Sequence, residues 1–335
     1  MAGVTPRFFP GTIRRGKDRL LRWFFLGATG LTTLLTAYAG SCAAAERPPF
    51  RLACSSSMFA EVNESDARAA MNVWILTVAK EKNISVDPDP HIHRSVEDMI
   101  QFGLKNAVNG FCLTTPEIPR LSREIKLDLI AVGSRNGSIT EEYLLLVRKD
   151  SGLKRLDQLR GRSINILDNP RMSMALIWLD TLLLESQLDR ATDFFGHVSL
   201  KTKAPQVALP VFFGKTEACL MTRTSFEVMG ELNPQLNLQM RVLATSPGVV
   251  PTGFAFRTDH ASPVSKEILE AMEHLGDTPA GRQILALTKS DRIVARPLSC
   301  LDGSLKLLAK HRRLCKEKLP GLANKTRGEK HAGVR

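Results

Sequence analysis

The sequence predicts an α/β protein of two lobes, each with a mostly parallel sheet covered by helices. Apolar runs of strand length alternate with helical patterns from about residue 50, and the same alternation starts again at residue 163. Residues 142–167 connect the two series, because they hold a strand, a charged turn, a short amphipathic helix and a second strand. We therefore expect the chain to leave one lobe and to begin another within this stretch.

The connecting stretch is itself regular. Residues 143–147 (YLLLV) form a continuous apolar run, which predicts a strand covered on both faces and places Tyr143 in the core. Leu156 and Leu159 lie three residues apart on one face of a short helix, and Gly161 can adopt the left-handed conformation that ends it. Residues 163–167 are expected to form the next strand.

Lobe one is expected to begin with a β-α-β-α-β series. Its strands are predicted at residues 51–54, 84–86, 111–113 and 127–132. Apolar residues recur at helical spacing from Ala67 to Ala79, which predicts a helix between the first two strands. Ser95 with Asp98 predicts a capping box for the next helix. The inward-facing residues of that helix would be Val96, Met99, Ile100 and Leu104.

Lobe two is expected to repeat the scheme before the chain returns. Its strands are predicted at residues 163–167, 197–200 and 217–221, with helices near 176–182 and 205–213. Pro210 should kink or shorten the second helix. The return is bracketed by residues 241–244 and 253–257, and helices near 263–275 and 279–288 would complete lobe one. The predicted divisions are 46–145 and 245–299 for lobe one, 146–244 for lobe two, and 300–335 for a last helix and a basic, disordered tail.

The first 45 residues indicate an export signal. Basic residues at 14–22 precede an apolar run at 23–39, and the alanines at 43–45 offer a small-residue cleavage site. Two alternatives stay open: acylation of Cys42 in a degenerate lipoprotein box, and an uncleaved membrane anchor. We expect cleavage and a periplasmic protein.

Charge and cysteine content exclude several classes of function. The net charge is +12, of which the first 45 residues contribute +5, and the other basic residues are scattered apart from the tail. We therefore expect no nucleic-acid partner. We also expect a monomer. Cys300 and Cys315 are the disulfide candidates, because they are expected to flank the last helix. His91 and His93 are expected to be a solvated pair, so no metal and no cofactor are predicted.

Four predicted strands are followed directly by residues with hydroxyl or cationic side chains, just before a helix. The candidate ligand-binding residues there are Ser55, Ser56, Thr114, Thr115, Arg171, Ser173 and Arg223. Ligands of open α/β sheets bind beyond the carboxyl ends of the strands, where helix N-termini favour anions. Singly, such residues are more typical of N-caps and surface cations. Their coincidence predicts a small-oxyanion site between the lobes.

Four segments resemble one family. They are residues 147–166 (VRKDSGLKRLDQLRGRSINI), 100–116 (IQFGLKNAVNGFCLTTP), 213–221 (FGKTEACLM) and 240–259 (MRVLATSPGVVPTGFAFRTD). They resemble the phosphate/phosphite/phosphonate-binding proteins of ABC importers, and the resemblance extends from about residue 50 to 297. It implies two Rossmann-like lobes joined by two crossover strands, the type 2 periplasmic binding protein architecture. It also implies capture of a small oxyanion for an ABC permease without catalytic residues, and it adds Ser246, at the second crossing, to the site.

The chain departs from the family pattern at three places. Residues 171–175 keep one hydroxyl, Ser173, where relatives have a Ser/Thr-rich run. Residues 116–119 lack a tyrosine, and no histidine lies near Lys203. Either Arg171 or Arg223 replaces the lost donors for a different oxyanion, or the ligand class has changed. Two other functions stay open: an extracytoplasmic sensor of the same fold that presents its ligand to a membrane receptor, and an exported hydrolase, which the scarcity of histidines disfavours.

Overall fold

The eleven strands of the described residues form two sheets in a computed structural model that describes residues 48–259 and 263–318. The predicted export segment and the basic tail beyond Lys318 lie outside the described residues. In the first part of the chain the elements are β1 (Leu52–Ser55), α1 (Glu64–Lys82), β2 (Ile92–His93), α2 (Val96–Lys105), β3 (Gly110–Thr114), α3 (Ile118–Leu121) and β4 (Leu127–Ser134). This order follows the predicted alternation of strand and helix.

The middle of the chain forms the second sheet and its helices. The elements are β5 (Tyr143–Arg148), β6 (Ser163–Leu167), α4 (Ala175–Glu185), α5 (Ala191–Phe194), β7 (His197–Lys201), α6 (Ala204–Phe212), β8 (Ala218–Thr222), α7 (Arg223–Leu232), α8 (Pro234–Gln239) and β9 (Met240–Thr245). The strand order is β7-β6-β8-β5-β9. Residues 143–147 of β5 are buried throughout, which confirms a strand covered on both faces.

The chain then returns to the first sheet. The last elements are β10 (Thr252–Arg257), α9 (Pro263–Glu273), α10 (Pro279–Leu287), β11 (Arg292–Pro297) and α11 (Asp302–Lys318). The first sheet has the order β11-β4-β10-β3-β1-β2, with β10 antiparallel to both β3 and β4. The sheet is therefore mixed rather than fully parallel, because the strand that arrives from the second sheet runs against its neighbours. The sequence did not predict β11.

The two crossing segments pair with each other. Glu141 and Val249 exchange backbone hydrogen bonds of 2.7 and 2.9 Å, and the Ser246 N–H donates to the Tyr143 carbonyl at 2.9 Å. Helix α11 lies against the same region, because the Val250 N–H donates to Ser304 Oγ at 2.8 Å. Further along, Lys310 of α11 pairs with Glu185 of α4. The junction is thus held by two crossover segments and one helix.

Four local predictions are wrong for identifiable reasons. Residues 84–86 form only an isolated bridge between Val86 and Phe50, because the prolines at 88 and 90 remove ladder donors; the edge strand is β2. The rings of His91 and His93 pack on Phe102, with centroids 4.5 and 5.0 Å apart, so they are not a solvated pair.

The other two errors concern the helices. Leu104 is half exposed and does not face the core. Cys300 and Cys315 are both free thiols, and Cys315 lies inside α11 rather than beyond its end. A helical rise of about 1.5 Å per residue separates the two cysteines by roughly 20 Å, far beyond disulfide reach. Within the described ranges, no helix combines the length and apolar character needed to cross a membrane.

Candidate functional site

The gap between the two sheets holds two adjoining cavities. The cationic compartment has a volume of about 440 Å³, and its charged lining residues are Glu61, Arg135, Arg171, Lys203 and Lys289. The apolar compartment has a volume of about 410 Å³ and is lined mainly by residues such as Pro116, Met172, Leu176, Ile177 and Leu200. Leu167 and Asn169, which follow each other closely at the end of β6, line both. The two cavities therefore adjoin.

Arg171 lies in the wall of the cationic compartment. Strand β6 ends at Leu167, and Pro170 begins a single 3₁₀ turn that carries Arg171 toward the first sheet. Its side chain is only 3% exposed; Nε pairs with Glu141, and Nη1 donates to Ser290 Oγ at 3.2 Å. Nη2 is buried and has no hydrogen-bond partner among the described residues. A buried cationic N–H without an acceptor is costly, so a bound anion or water at this atom is favoured.

Hydroxyl groups and further cations complete the cationic compartment. Thr202, Thr222 and Ser225 line it from the ends of β7 and β8. Lys289 is already paired with Glu61 at 2.8 Å, so the charge of that pair is largely balanced. Arg135 and Lys203 contribute positive charge that no carboxylate of the described residues pairs with. The compartment is therefore electropositive.

A second unpartnered buried polar atom lies where the compartments meet. The Oδ1 atom of Asn169 is buried and has no partner within the described part of the chain. It is an acceptor, so it suits a ligand hydroxyl or a protonated oxygen rather than a bare anion. Asn169 was not among the site residues that the sequence predicted.

The strand ends of the first sheet carry a different arrangement. The Glu117 carboxylate accepts hydrogen bonds from Ser55 Oγ at 2.6 Å and from both the N–H and Oγ1 of Thr114 at 2.8 Å. Ser55 and Thr114 are buried, and Thr114 and Glu117 line the apolar compartment. We call this group, Ser55, Thr114 and the Glu117 carboxylate, the lobe-one cradle. The donors that the sequence assigned to a ligand are engaged by a side chain of the protein.

The other predicted site residues make contacts within the protein. Thr115 Oγ1 donates to the Val250 carbonyl and Ser173 Oγ to the Pro251 carbonyl, each at 2.6 Å. Ser246 Oγ accepts from the Tyr143 N–H at 2.7 Å. Ser56 is half-buried in the turn after β1. Thr115, Ser173 and Ser246 lie beside the crossover segments. The assignment of all four residues to a ligand stays a prediction.

Arg223 also differs from its predicted role. Its side chain is 43% exposed, it pairs with Glu142, and it lines neither compartment. Its neighbours Thr222 and Ser225 do line the cationic compartment. Helix α7 begins at Arg223 with Thr222 as its N-cap, because Thr222 Oγ1 accepts from the Ser225 N–H at 3.1 Å.

Sequence reasoning missed Arg135, Lys203 and Glu117 as lining residues. Arg135 directly follows β4, and Lys203 lies two residues beyond β7, so the strand-end rule applied to every strand would have found both. Glu117 carried no such signal, because only the fold shows that its carboxylate turns back onto Thr114. No group of three or more metal-ligating side chains occurs among the described residues.

Comparison with known proteins is consistent with this architecture. A family model described as "ABC transporter, phosphonate, periplasmic substrate-binding protein" matches residues 63–296, more than half of the chain. A search of curated protein sequences finds no match.

Solved structures of low identity share the fold. A Xanthomonas citri protein bound to ATP is 14% identical with a TM-score of 0.56, covering 80% of this chain and 98% of its own. A binding protein component of an ABC phosphonate transporter from Pseudomonas aeruginosa is 13% identical with a TM-score of 0.54, covering 79% and 87%. PhnD1 from Prochlorococcus marinus, in complex with methylphosphonate, is 11% identical with a TM-score of 0.53, covering 78% and 97%. At these identities the similarity supports the fold, which is that of type 2 periplasmic binding proteins.

Proposed function

Because this chain belongs to the family of periplasmic substrate-binding proteins of ABC phosphonate transporters, we propose that it captures a small phosphate-, phosphite- or phosphonate-like oxyanion in its interlobe cleft. The family binds solutes and works with an ABC permease rather than as an enzyme. In the proposal, the bound oxyanion is delivered to that permease. The ligand of PhnD1, methylphosphonate, lends support to this class of ligand.

The observation that carries the proposal is the unpartnered Nη2 of Arg171. This N–H group lies in the wall of a cavity that also presents Arg135, Lys203 and hydroxyl side chains. A guanidinium donates to an oxyanion in a fixed geometry, and hydrogen bonds to charged groups are worth about 1.5–3 kcal/mol each. An oxyanion at this point would satisfy the donor and balance the local positive charge.

Arg171 and Ser173 make hydrogen bonds from one lobe to the other, which links ligand binding to the distance between the lobes. Arg171 follows β6 of the second sheet, but its Nη1 reaches Ser290, which lies between α10 and β11 of the first-sheet part. Ser173 likewise donates to the Pro251 carbonyl beside β10. A ligand held between Arg171 and Arg135 would contact both lobes, so it would favour the form in which they are close.

A binding panel on the chain from Glu46 onward tests the proposal. The panel is phosphate, phosphite, methylphosphonate, sulfate and acetate, followed by thermal shift and by calorimetric titration. A ligand at 100 times its dissociation constant should stabilise the protein by about 2.7 kcal/mol. We expect at least one phosphorus oxyanion to do so and acetate not to do so.

Lysine variants locate the site. Lys203→Ala should weaken binding of that oxyanion about tenfold, because one charged donor is lost. Lys215→Ala is the matched control, because Lys215 is exposed on the same lobe and lines neither compartment. Absence of binding to every oxyanion of the panel would overturn the proposal, and equal effects of the two lysine variants would remove the cationic compartment as the site.

A further inference from the structure

The donors of the lobe-one cradle are of the kind that bind small oxyanions. Two hydroxyls and one backbone N–H, from the ends of neighbouring strands β1 and β3, converge on a single point beside the apolar compartment. The group bound at that point is the Glu117 carboxylate, which takes all three hydrogen bonds on its two oxygens. A carboxylate and a phosphorus oxyanion have the same requirement for such donors.

We infer that Glu117 is an internal anion: it occupies the lobe-one part of the oxyanion site and thereby determines which anions the cleft accepts. The inference deepens the proposed function and rests on it for the identity of the ligand class. The occupied cradle itself is independent of what binds elsewhere in the cleft.

The burial of the donors explains why the cradle needs an occupant. Ser55 is 1% exposed and Thr114 is 5% exposed. Without an acceptor, two hydroxyls and an N–H group would be left unsatisfied at the buried end of a cavity, which is unfavourable. Glu117 removes that cost in the absence of any ligand, whereas a cradle without it would need an exogenous anion or water.

The position of Glu117 in the chain makes it an effective competitor. Its backbone N–H donates to the Thr114 carbonyl at 3.0 Å, so the turn of residues 114–117 holds the carboxylate within reach of its donors. A group tethered this closely acts at an effective concentration of roughly millimolar or higher. A free oxyanion of equal intrinsic affinity for these donors would displace it only above that concentration. Its negative charge also repels a second anion at that end of the cleft.

The two parts of the cleft therefore differ in what they bind. The cationic compartment binds the oxyanion of a ligand, whereas the Glu117 carboxylate prevents that oxyanion from binding in the lobe-one cradle. Removal of the Glu117 carboxylate should therefore have one of two effects. Either a second oxyanion binds at the cradle, or a single oxyanion binds more tightly because it contacts both the cradle and the cationic compartment.

The experiment is calorimetric titration of the wild type and Glu117→Ala with phosphate and methylphosphonate. We expect Glu117→Ala to gain either a second bound equivalent or about tenfold tighter binding. Glu124→Ala is the charge-matched control, because Glu124 is exposed, lines neither compartment and pairs with Arg120. It should behave as the wild type does. Adding Ser55→Ala to Glu117→Ala should abolish most of the gain, because one cradle donor is lost.

The outcomes separate this inference from the proposed function. If the wild type binds no oxyanion and Glu117→Ala binds one, the inference holds and the proposed function fails. If Glu117→Ala keeps the wild-type stoichiometry and affinity, the inference is overturned, whatever the wild type binds. Should Glu117→Ala not fold, Glu117→Ser also removes the carboxylate, and its side chain is too short to fill the cradle as Glu117 does. It must then show the tighter binding or the second equivalent, and no change would overturn the inference.

Discussion

Arg171 and Arg223 occupy similar places in the sequence and different places in the molecule. Each lies just beyond a strand of the second sheet, and each pairs with a glutamate of the first crossover: Arg171 with Glu141, Arg223 with Glu142. The first pair is buried, at 3% and 2% exposure, whereas the second is about two-fifths exposed. Consecutive residues of an extended segment point in opposite directions, which sends one pair into the cleft wall and the other to the surface.

The comparison teaches that a strand-end arginine is not a ligand contact by itself. From the sequence, both arginines were predicted to contact the oxyanion. Whether a guanidinium faces the cavity depends on which glutamate it pairs with. It also depends on the side of the crossover on which that glutamate lies. Three substitutions test this difference.

The largest effect is expected from Arg171→Met. The substitution leaves the Glu141 carboxylate buried without its cation, which should destabilise the protein by about 3–5 kcal/mol. Equilibrium unfolding in urea measures the loss. A loss below about 1 kcal/mol would show that water reaches Glu141 and that the pair is not buried in solution.

The matched control is the double variant Arg171→Met with Glu141→Gln. The double variant removes the unpaired negative charge of Glu141, so it should recover part of the stability lost by Arg171→Met alone. Stability equal to that of the single variant would attribute the loss to packing of the arginine rather than to the uncompensated carboxylate.

A smaller effect is expected from Tyr143→Phe. The Tyr143 hydroxyl donates to the Arg171 carbonyl at 2.9 Å within the core, and its loss should cost about 1 kcal/mol near neutral pH. Burial raises the pKa of Tyr143 well above its ordinary value. The folded protein therefore keeps the phenolic proton while the unfolded chain loses it near pH 10. The stability that the protonated Tyr143 hydroxyl contributes is therefore present below about pH 10 and is lost as the pH rises above it.

Tyrosine absorbance gives a direct readout of that prediction. In the chain from Glu46 onward Tyr143 is the single tyrosine, because the other, Tyr38, precedes that point. We expect no tyrosinate signal from the folded wild type at pH 10.5 and its appearance on unfolding in urea. A normal titration in the folded state would place the phenol in contact with solvent.

The smallest effect is expected from Arg223→Ala. Exposed ion pairs contribute about 0–1 kcal/mol, so urea unfolding should change by no more than that. The same variant tests the prediction from sequence that Arg223 binds the oxyanion. Because Arg223 lines neither compartment, we expect the oxyanion affinity to stay within about twofold of the wild type, a change of roughly 0.4 kcal/mol. A complete loss of binding would restore Arg223 to the site.

Much of the secondary structure followed from local pattern. The apolar run at residues 143–147, the helical spacing from Ala67 to Ala79 and the Ser95 cap are signals within a few residues, and the structure confirms a buried strand, a helix and an N-cap there. Strand β11 was missed because residues 292–297 (RIVARP) mix charge and proline with few apolar positions. Its pairing with β4 is a long-range contact, which a local pattern does not encode.

The sequence by itself determined the alternation of strands and helices, the family and the hydroxyl-rich strand ends, because these depend on residues close together in the chain. Only the tertiary structure decided which of those ends face the cleft and which donors remain open. Ser55 and Glu117 are 62 residues apart, and Arg171 and Ser290 are 119 apart. Hydrogen bonds between such distant residues satisfy some donors and leave others free, and that outcome depends on packing geometry rather than on local sequence.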